Sequence, residues 1–422
     1  MHRHQFETYL DKVFDFPSRV AGLPDGRSYS YHSAKKVFDA IFFASACQFG
    51  PVHRIETECK MGALRRRIGP LSEDAIGYTL ERQDPDAIFA LGCTLAQQLK
   101  RNQVLHSTWS RGLVVAAADG IEICSSFARC CSRCMERTVK HKVGEELRED
   151  IQYYHRISVV SIVSSSFPIP LGIRFQKKGE DEVACTLALL QDLRQRLGAR
   201  FFDVLVADAL YLQTPFVKQL QVLGLDWVIN LKANQPELLA EAERAVAFLA
   251  PHPSPSQPQE LQLWDMPQVY WPVADRAVHV VKTLRHHARQ RQHVQRQEAG
   301  NKQIVRVVEV EPSTNFYAAN LELGSIPPLF IHQLGRSRWH IDAQLFQTLT
   351  TGGHLKRPSL HQGYDKALVV LTMIRVLAFT LALVFYHRQV RSHFRKASFG
   401  FCDLARNIAE QFLLVSAVLD SS

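Results

Sequence analysis

The chain has 422 residues, 46% hydrophobic and 22% charged, the make-up of a folded protein of two or three domains and not of a disordered one. Lys and Arg number 50 against 41 Asp and Glu, a net charge of +9. That balance favours an anionic partner, nucleic acid first, because cations that neutralise phosphates release counterions.

Residues 1–108 read as a helical N-terminal domain. Val37, Ile41, Phe42 and Ala46 give the span Ser33 to Cys47 a helical apolar pattern, and Ser72, followed by Glu73 and Asp74, is an N-cap signal. Between them Lys60, Arg65, Arg66 and Arg67 form a basic cluster, either a solvated helix face or a DNA-contacting surface. The polar start, Met1 to Leu10, lacks the apolar core of a signal peptide, so a cytoplasmic protein with reduced thiols is expected.

From Gly112 the character changes. Gly112 to Ala118 reads as a strand stopping at an Asp119-Gly120 turn. Arg156 to Ser165 and Ile169 to Gln176 follow as strands, Asp181 to Leu197 as a helix and Phe202 to Ala207 as a strand ending at Asp208. Thr214 to Leu223 is then helical and Asp226 to Leu231 extended. Consecutive strands followed by alternating helices and strands predict a mixed sheet with helical cover over residues 109–249.

Four prolines between Pro251 and Pro258 mark a linker or loop. A β-rich basic insertion over 250–329 follows. Its densest stretch carries Lys282, Arg285, Arg289, Arg291, Arg296, Lys302 and Arg306 against Glu298, a local charge of +6. It reads as a solvated hairpin face, a DNA-backbone track or a protein-partner site; His286, His287 and His293 lack acidic companions and suit neither a metal nor a catalytic base. Residues 330–422 return to helix, at Arg336 to Leu349 and Tyr364 to Tyr386. Arg375 splits the most apolar stretch into runs of 8 and 11 residues, short of the ~20 that span a bilayer, so a buried helix and no membrane partner are expected.

Asp119 and Asp208 each follow an apolar strand, where ligands and metals commonly lie, and carboxylates there can share a divalent cation. Either alone also reads as a turn or cap residue. Asp342, four residues after Arg338, is the candidate third acid of a two-metal phosphoryl-transfer site; the plain alternative is a surface ion pair worth ~0.3–0.5 kcal/mol. Cys131 and Cys134 have the spacing of half a zinc site, which Cys124 or Cys130 with His141 would complete, against the alternative of unliganded thiols. Cys47, Cys59, Cys93, Cys185 and Cys402 are scattered.

In order and spacing, these segments resemble the DDE transposases of bacterial insertion sequences, in the group whose ribonuclease-H-like catalytic domain is interrupted by a β-rich insert. The resemblance rests on Asp119-Gly120, Tyr153-Tyr154-His155, Lys178 to Glu182, Val206 to Tyr211, Lys232 to Pro236, Arg338 to Asp342 with Phe346, and the long apolar C-terminal helix. It implies that Asp119, Asp208 and Asp342 hold two Mg²⁺ or Mn²⁺ ions, that Arg338 positions the acid or a phosphate, and that Trp339 packs in the core or stacks on a base. The implied substrates are the terminal inverted repeats of a mobile element and its target DNA, bound by a homodimer associated with the nucleoid.

The chain departs from the family's pattern where the chemistry lies. The third acid is normally Glu, a Tyr normally stands three residues before the Arg, and a Lys or Arg seven after the acid; here these are Asp342, Gly335 and Leu349. One methylene fewer draws the carboxylate back by roughly 1.5 Å, and a ~1 Å misplacement can cost ~10²-fold in rate. Lys356 and Arg357 read as a solvated loop or as a replacement DNA-backbone cation. The expectation is a transposase weakened at its third acid; the alternatives are a catalytically inactive DNA-binding descendant and a nuclease that does not join strands.

Overall fold

The computed structural model describes residues 5–105, 107–143, 146–253, 261–296, 302–320, 326–357, 360, 365–390 and 400–419; the side chains of 5, 143, 146, 253, 287–296, 302–310 and 414–419 are outside that description. The chain forms two compact units. The first holds residues 1–107, 119–201 and 340–422, the second 108–118 and 202–339.

The first unit begins with helices, as the sequence predicts: α1 (Gln5–Phe14), α2 (Phe16–Ala21), α3 (Ala34–Ala46), α4 (Val52–Met61), α5 (Glu73–Arg82) and α6 (Pro85–Arg101). The predicted cap at Ser72 forms, and Ser33 caps α3 as well. Ser33 Oγ accepts from the Lys36 N–H and Ser72 Oγ from the Ala75 N–H, each at 3.2 Å, so each helix start has one orphan donor fewer. In the basic cluster, Lys60 pairs with Glu56, and Arg67 reaches Glu7 at 2.6 Å.

Strand β1 (Val115–Ser126) begins in the second unit and continues in the first. It does not stop at Asp119-Gly120. Two further strands form a hairpin, β2 (Met135–Val143) and β3 (Glu146–Ile162), and the second half of β3 pairs with β4 (Ile169–Phe175). Strand β2 was not expected, because in its sequence MERTVKHKV Arg137 and His141 interrupt the face that carries Met135, Val139 and Val143. Cross-strand ion pairs hold it instead, Lys140 to Glu149 at 2.6 Å and Arg137 to Glu122 of β1 at 2.7 Å. Helix α7 (Glu182–Leu197) follows, capped by Asp181.

In the second unit, β1 runs parallel to β5 (Val204–Ala207), and β5 parallel to β6 (Asp226–Leu231), with α8 (Thr214–Val222) between them. The strand residues Val115 to Ala118 and Val204 to Ala207 are fully buried, as parallel strands covered on both faces require. After α9 (Pro236–Val246) come β7 (His252–Pro253), β8 (Leu261–Trp271), β9 (Arg276–Arg296), β10 (Lys302–Ala319) and α10 (Pro328–Ser337). The strand order is β1-β5-β6-β10-β9-β8-β7. The end of β10 therefore belongs to the core sheet, since Phe316 to Ala319 pair antiparallel with Val228 to Leu231. The sheet is mixed and the class α/β, as a ribonuclease-H-like core requires. Within the proline-rich stretch, 254–260 lie outside the described residues.

The first unit closes with α11 (Gln347–Thr351), α12 (Ala367–Phe385) and α13 (Phe401–Leu419). The helical span Ala367–Val390 is apolar and long enough to cross a membrane, but its most apolar window is 94% buried inside the protein, as in a core helix. The buried Arg375 within it is satisfied there, donating to the Gly50 carbonyl. Glu81 of α5 accepts from the Lys366 and Ala367 N–H groups at 2.8 and 2.9 Å, which caps the helix start.

Candidate active site

Asp208 is the residue at which β5 ends. Its Oδ1 accepts the Ala209 N–H at 2.6 Å, opening a short 3₁₀ turn. The loop after the neighbouring strand β6 braces this turn. Lys232 Nζ lies 3.2 Å from the same Oδ1, Asn234 Nδ2 donates to the Ala209 carbonyl at 2.7 Å, and Gln235 Nε2 donates to the Leu212 carbonyl at 2.7 Å. Partial burial acts to raise the Asp208 pKa. The Ala209 N–H, the Lys232 ammonium and the charge of Arg338 outweigh it and hold the carboxyl below its ordinary value.

Further cations gather in the same unit. Arg338 is buried, at 8% exposure, and its charge bears on both Asp208 and Tyr317. Partial burial and the nearby charge of Arg285 both pull Arg336 below the ordinary arginine range. Arg285 Nε is buried with no hydrogen-bond partner among the described residues. Burial, aided by Arg336 and Arg285, pushes His332 down to about 4, so it is neutral at pH 7. Arg285 and Arg336 therefore repel one another, an arrangement that a polyanion relieves.

The absent tyrosine at position 335 has a physical reason. A Cβ built on Gly335 would stand 2.2 Å from Cδ1 of Tyr317. Tyr317, on β10, is buried and lays its ring on the backbone of α10, where a side chain at 335 would go. Trp339 corrects an expectation: it is 63% exposed, not packed in the core. Successive helical residues point about 100° apart, and here the inward position belongs to Arg338.

The other two aspartates lie in the first unit. The register of β1 and β5 ends at the pair Ala118 and Ala207, and the next residue along each chain is an aspartate, 119 and 208. Asp119 is mid-strand rather than at a strand end, and its Oδ1 accepts the Gly120 N–H at 2.8 Å. Gly120 is there because Glu182 approaches closely: a Cβ would sit 2.5 Å from its carboxyl carbon. Glu182 is buried and ion-paired with Arg156 at 2.7 Å. Asp342 is exposed on a π-helical turn, Ile341–Phe346, whose Ile341 and Leu345 face the core as expected. Such turns recur at functional sites. Leu349 is 2% exposed, a position where a lysine would be buried.

The cysteine set differs from the one the spacing suggested. Cys131 and Cys134 come together with His155 of β3, their ligand atoms all within 4.8 Å of one another. Cys124 instead donates to the Arg357 carbonyl at 3.7 Å, and His141 faces Asp150 at 3.4 Å. Cys130 is exposed. Of the basic residues proposed for DNA, Lys282 sits over the Trp264 ring at 4.8 Å, and Lys356 and Arg357 are exposed. The side chains of Arg289, Arg291 and Arg296 lie outside the described residues.

Sequence reasoning missed Lys232, Glu182, His155 and Tyr317. For Lys232 a signal existed: it follows a strand of the same alternating series as the one ending at Asp208. The others act through long-range packing that no local pattern encodes.

Asp208 is a half-buried carboxylate at the carboxyl end of a central parallel strand, with Lys232 and Arg338 acting on it, a position where ligands commonly lie in such sheets. The donors Asp119, Asp208 and Asp342 are all oxygen, as a hard divalent cation prefers. Both contacts of Asp208 fall on Oδ1, and Oδ2 carries no hydrogen bond among the described residues. The family model of the transposase DDE domain matches residues 125–341, just over half of the chain. The chain belongs to that family, whose members act on DNA and generally depend on divalent metal ions. The match includes Asp208, Lys232 and Arg338, begins after Asp119 and ends one residue before Asp342. No curated protein matches the chain.

Proposed function

We propose that the protein is a DDE-type transposase of an insertion sequence, cutting the ends of the element and joining them to target DNA. Asp119, Asp208 and Asp342 would hold two Mg²⁺ or Mn²⁺ ions. When bound, such ions supply Lewis-acid activation of the attacking oxygen and neutralise charge at the phosphate. Lys232 and the Ala209 N–H keep Asp208 ionised and aimed; Arg338 and the Arg285–Arg336 pair attract and orient the phosphodiester backbone. The working form is a homodimer on paired terminal inverted repeats, in the cytoplasm at the nucleoid.

The observation that carries this reading is the Asp208 cluster. It is one carboxylate held below its ordinary pKa by the Ala209 N–H, Lys232 and the charge of Arg338, inside the span matched by the family. The test is nicking and strand joining on a plasmid carrying the gene's own flanking DNA, with Mg²⁺ and with Mn²⁺. The natural protein should cut and join, while Asp119→Ala and Asp208→Asn should bind the DNA without cutting it. Cutting by either variant at the natural rate would remove that residue from the site.

A second reading, a DNA-binding descendant without catalysis, is favoured by Asp342, one methylene shorter than the Glu of the family's pattern. DNA binding without cleavage under both metals would select it. Cleavage without joining would point instead to a nuclease.

A further inference from the structure

The turn between β1 and β2 carries a second cluster within the first unit, apart from the carboxylates. Cys131 Sγ lies 3.7 Å from Cys134 Sγ, and His155 Nε2 lies 3.3 Å from the first and 3.4 Å from the second. A tetrahedral zinc ion with Zn–S about 2.3 Å and Zn–N about 2.0–2.1 Å holds its ligand atoms about 3.8 Å apart for S···S and about 3.5 Å for S···N. The three measured separations each come within about 0.2 Å of those values. They are also too long for a disulfide.

The surroundings suit a bound cation. Cys134 and His155 are 1% and 3% exposed, whereas Cys131 is only partly covered, so the cluster is shielded on one side and open on the other. The Cys131 N–H donates to Cys134 Sγ at 3.3 Å, and the Cys134 N–H closes the turn onto the Cys131 carbonyl at 3.2 Å. An N–H aimed at sulfur stabilises a thiolate. Cys130, the preceding residue, is exposed, and its thiol is near enough for its charge to bear on Cys134. Ser132 Oγ donates to Asp365 Oδ1 at 2.6 Å and fixes the turn from its other side.

We infer that Cys131, Cys134 and His155 bind a structural zinc ion, with Cys130 turning inward as the fourth ligand. The ion would pin the β1–β2 connection to β3 at the base of the charged β2–β3 hairpin. Leu147 and Ile151 of that hairpin are exposed rather than packed in the core, so such a fastening would help to hold its base. Binding releases the thiol protons and stabilises the folded chain by mass action.

The test uses the full-length protein, purified under reducing conditions, chelated, and reloaded with Co²⁺ or Zn²⁺ alone. One Co²⁺ per chain should bind and give a thiolate-to-cobalt charge-transfer band. Cys130→Ser should lower that band by about a third, as expected for one of three thiolates. Cys131→Ser and His155→Gln should lose the ion. In the natural protein, Zn²⁺ should raise the thermal midpoint of the chelated form and protect three thiols from a thiol reagent. This arm holds even where a variant fails to fold. A missing band, or one that survives Cys131→Ser and His155→Gln, would overturn the site. An undiminished band in Cys130→Ser would remove Cys130 from it.

Discussion

Gly335→Ala is the sharpest test of the packing around Arg338. The new Cβ would stand 2.2 and 2.3 Å from two carbons of the Tyr317 ring, whereas apolar contacts settle near ~4 Å. The ring would have to move by more than about 1 Å in a close-packed interior. It is buried beside His332, ring to ring at 5.7 Å. Overpacking of this kind costs ~1–3 kcal/mol, while replacing a helical glycine with alanine returns ~0.8–1 kcal/mol. The net expectation is a loss of up to about 2 kcal/mol, read from urea unfolding followed by circular dichroism. In a Tyr317→Ala background, itself weakened by ~3–5 kcal/mol through its cavity, the clash is gone. There Gly335→Ala should stabilise by up to ~1 kcal/mol. A change of sign between the two backgrounds is the signature. A stabilising effect in the natural background, or the same loss in both, would refute the reasoning.

His332 gives a pH dependence. Its pKa is about 4 in the folded chain against ~6.5 unfolded, so protons favour the unfolded state: stability is full above pH 6.5 and is lost as pH falls towards 4, by on the order of 3 kcal/mol. Urea unfolding of His332→Leu should lack that slope between pH 6.5 and 4. Lys232→Met should raise the Asp208 pKa and move the acid limb of cleavage to higher pH; an unmoved limb would show that Lys232 does not tune the acid. If Arg285 contacts DNA backbone, Arg285→Ala should weaken binding alike on all sequences and reduce the salt slope of log affinity by ~0.9.

How far the sequence reveals the fold depends on where each signal lives. Ser72 and the span Asp226 to Leu231 were legible because caps and buried parallel strands are local. Strand β2 was not, because ion pairs with β3 and β1 stabilise it in place of apolar alternation. Asp119-Gly120 looked like a turn, yet the glycine is there because Glu182 crowds the strand from α7. At the site, Asp208 was legible as an acid after an apolar strand. The role of Lys232 needed the parallel pairing of β5 with β6, and that of His155 needed β3 folded against the cysteine turn. The stray Gly335 made sense only once Tyr317 was seen to occupy its space.

The proposed metal site requires the acid at 342 to serve despite its shorter side chain. The direct measurement is the rate of Mg²⁺- and Mn²⁺-dependent end cleavage by the natural protein, Asp342→Glu and Asp342→Ala, at matched DNA occupancy. Cutting by the natural protein, equal or faster cutting by Asp342→Glu, and none by Asp342→Ala are the expected results. Cutting by Asp342→Ala at the natural rate would contradict it.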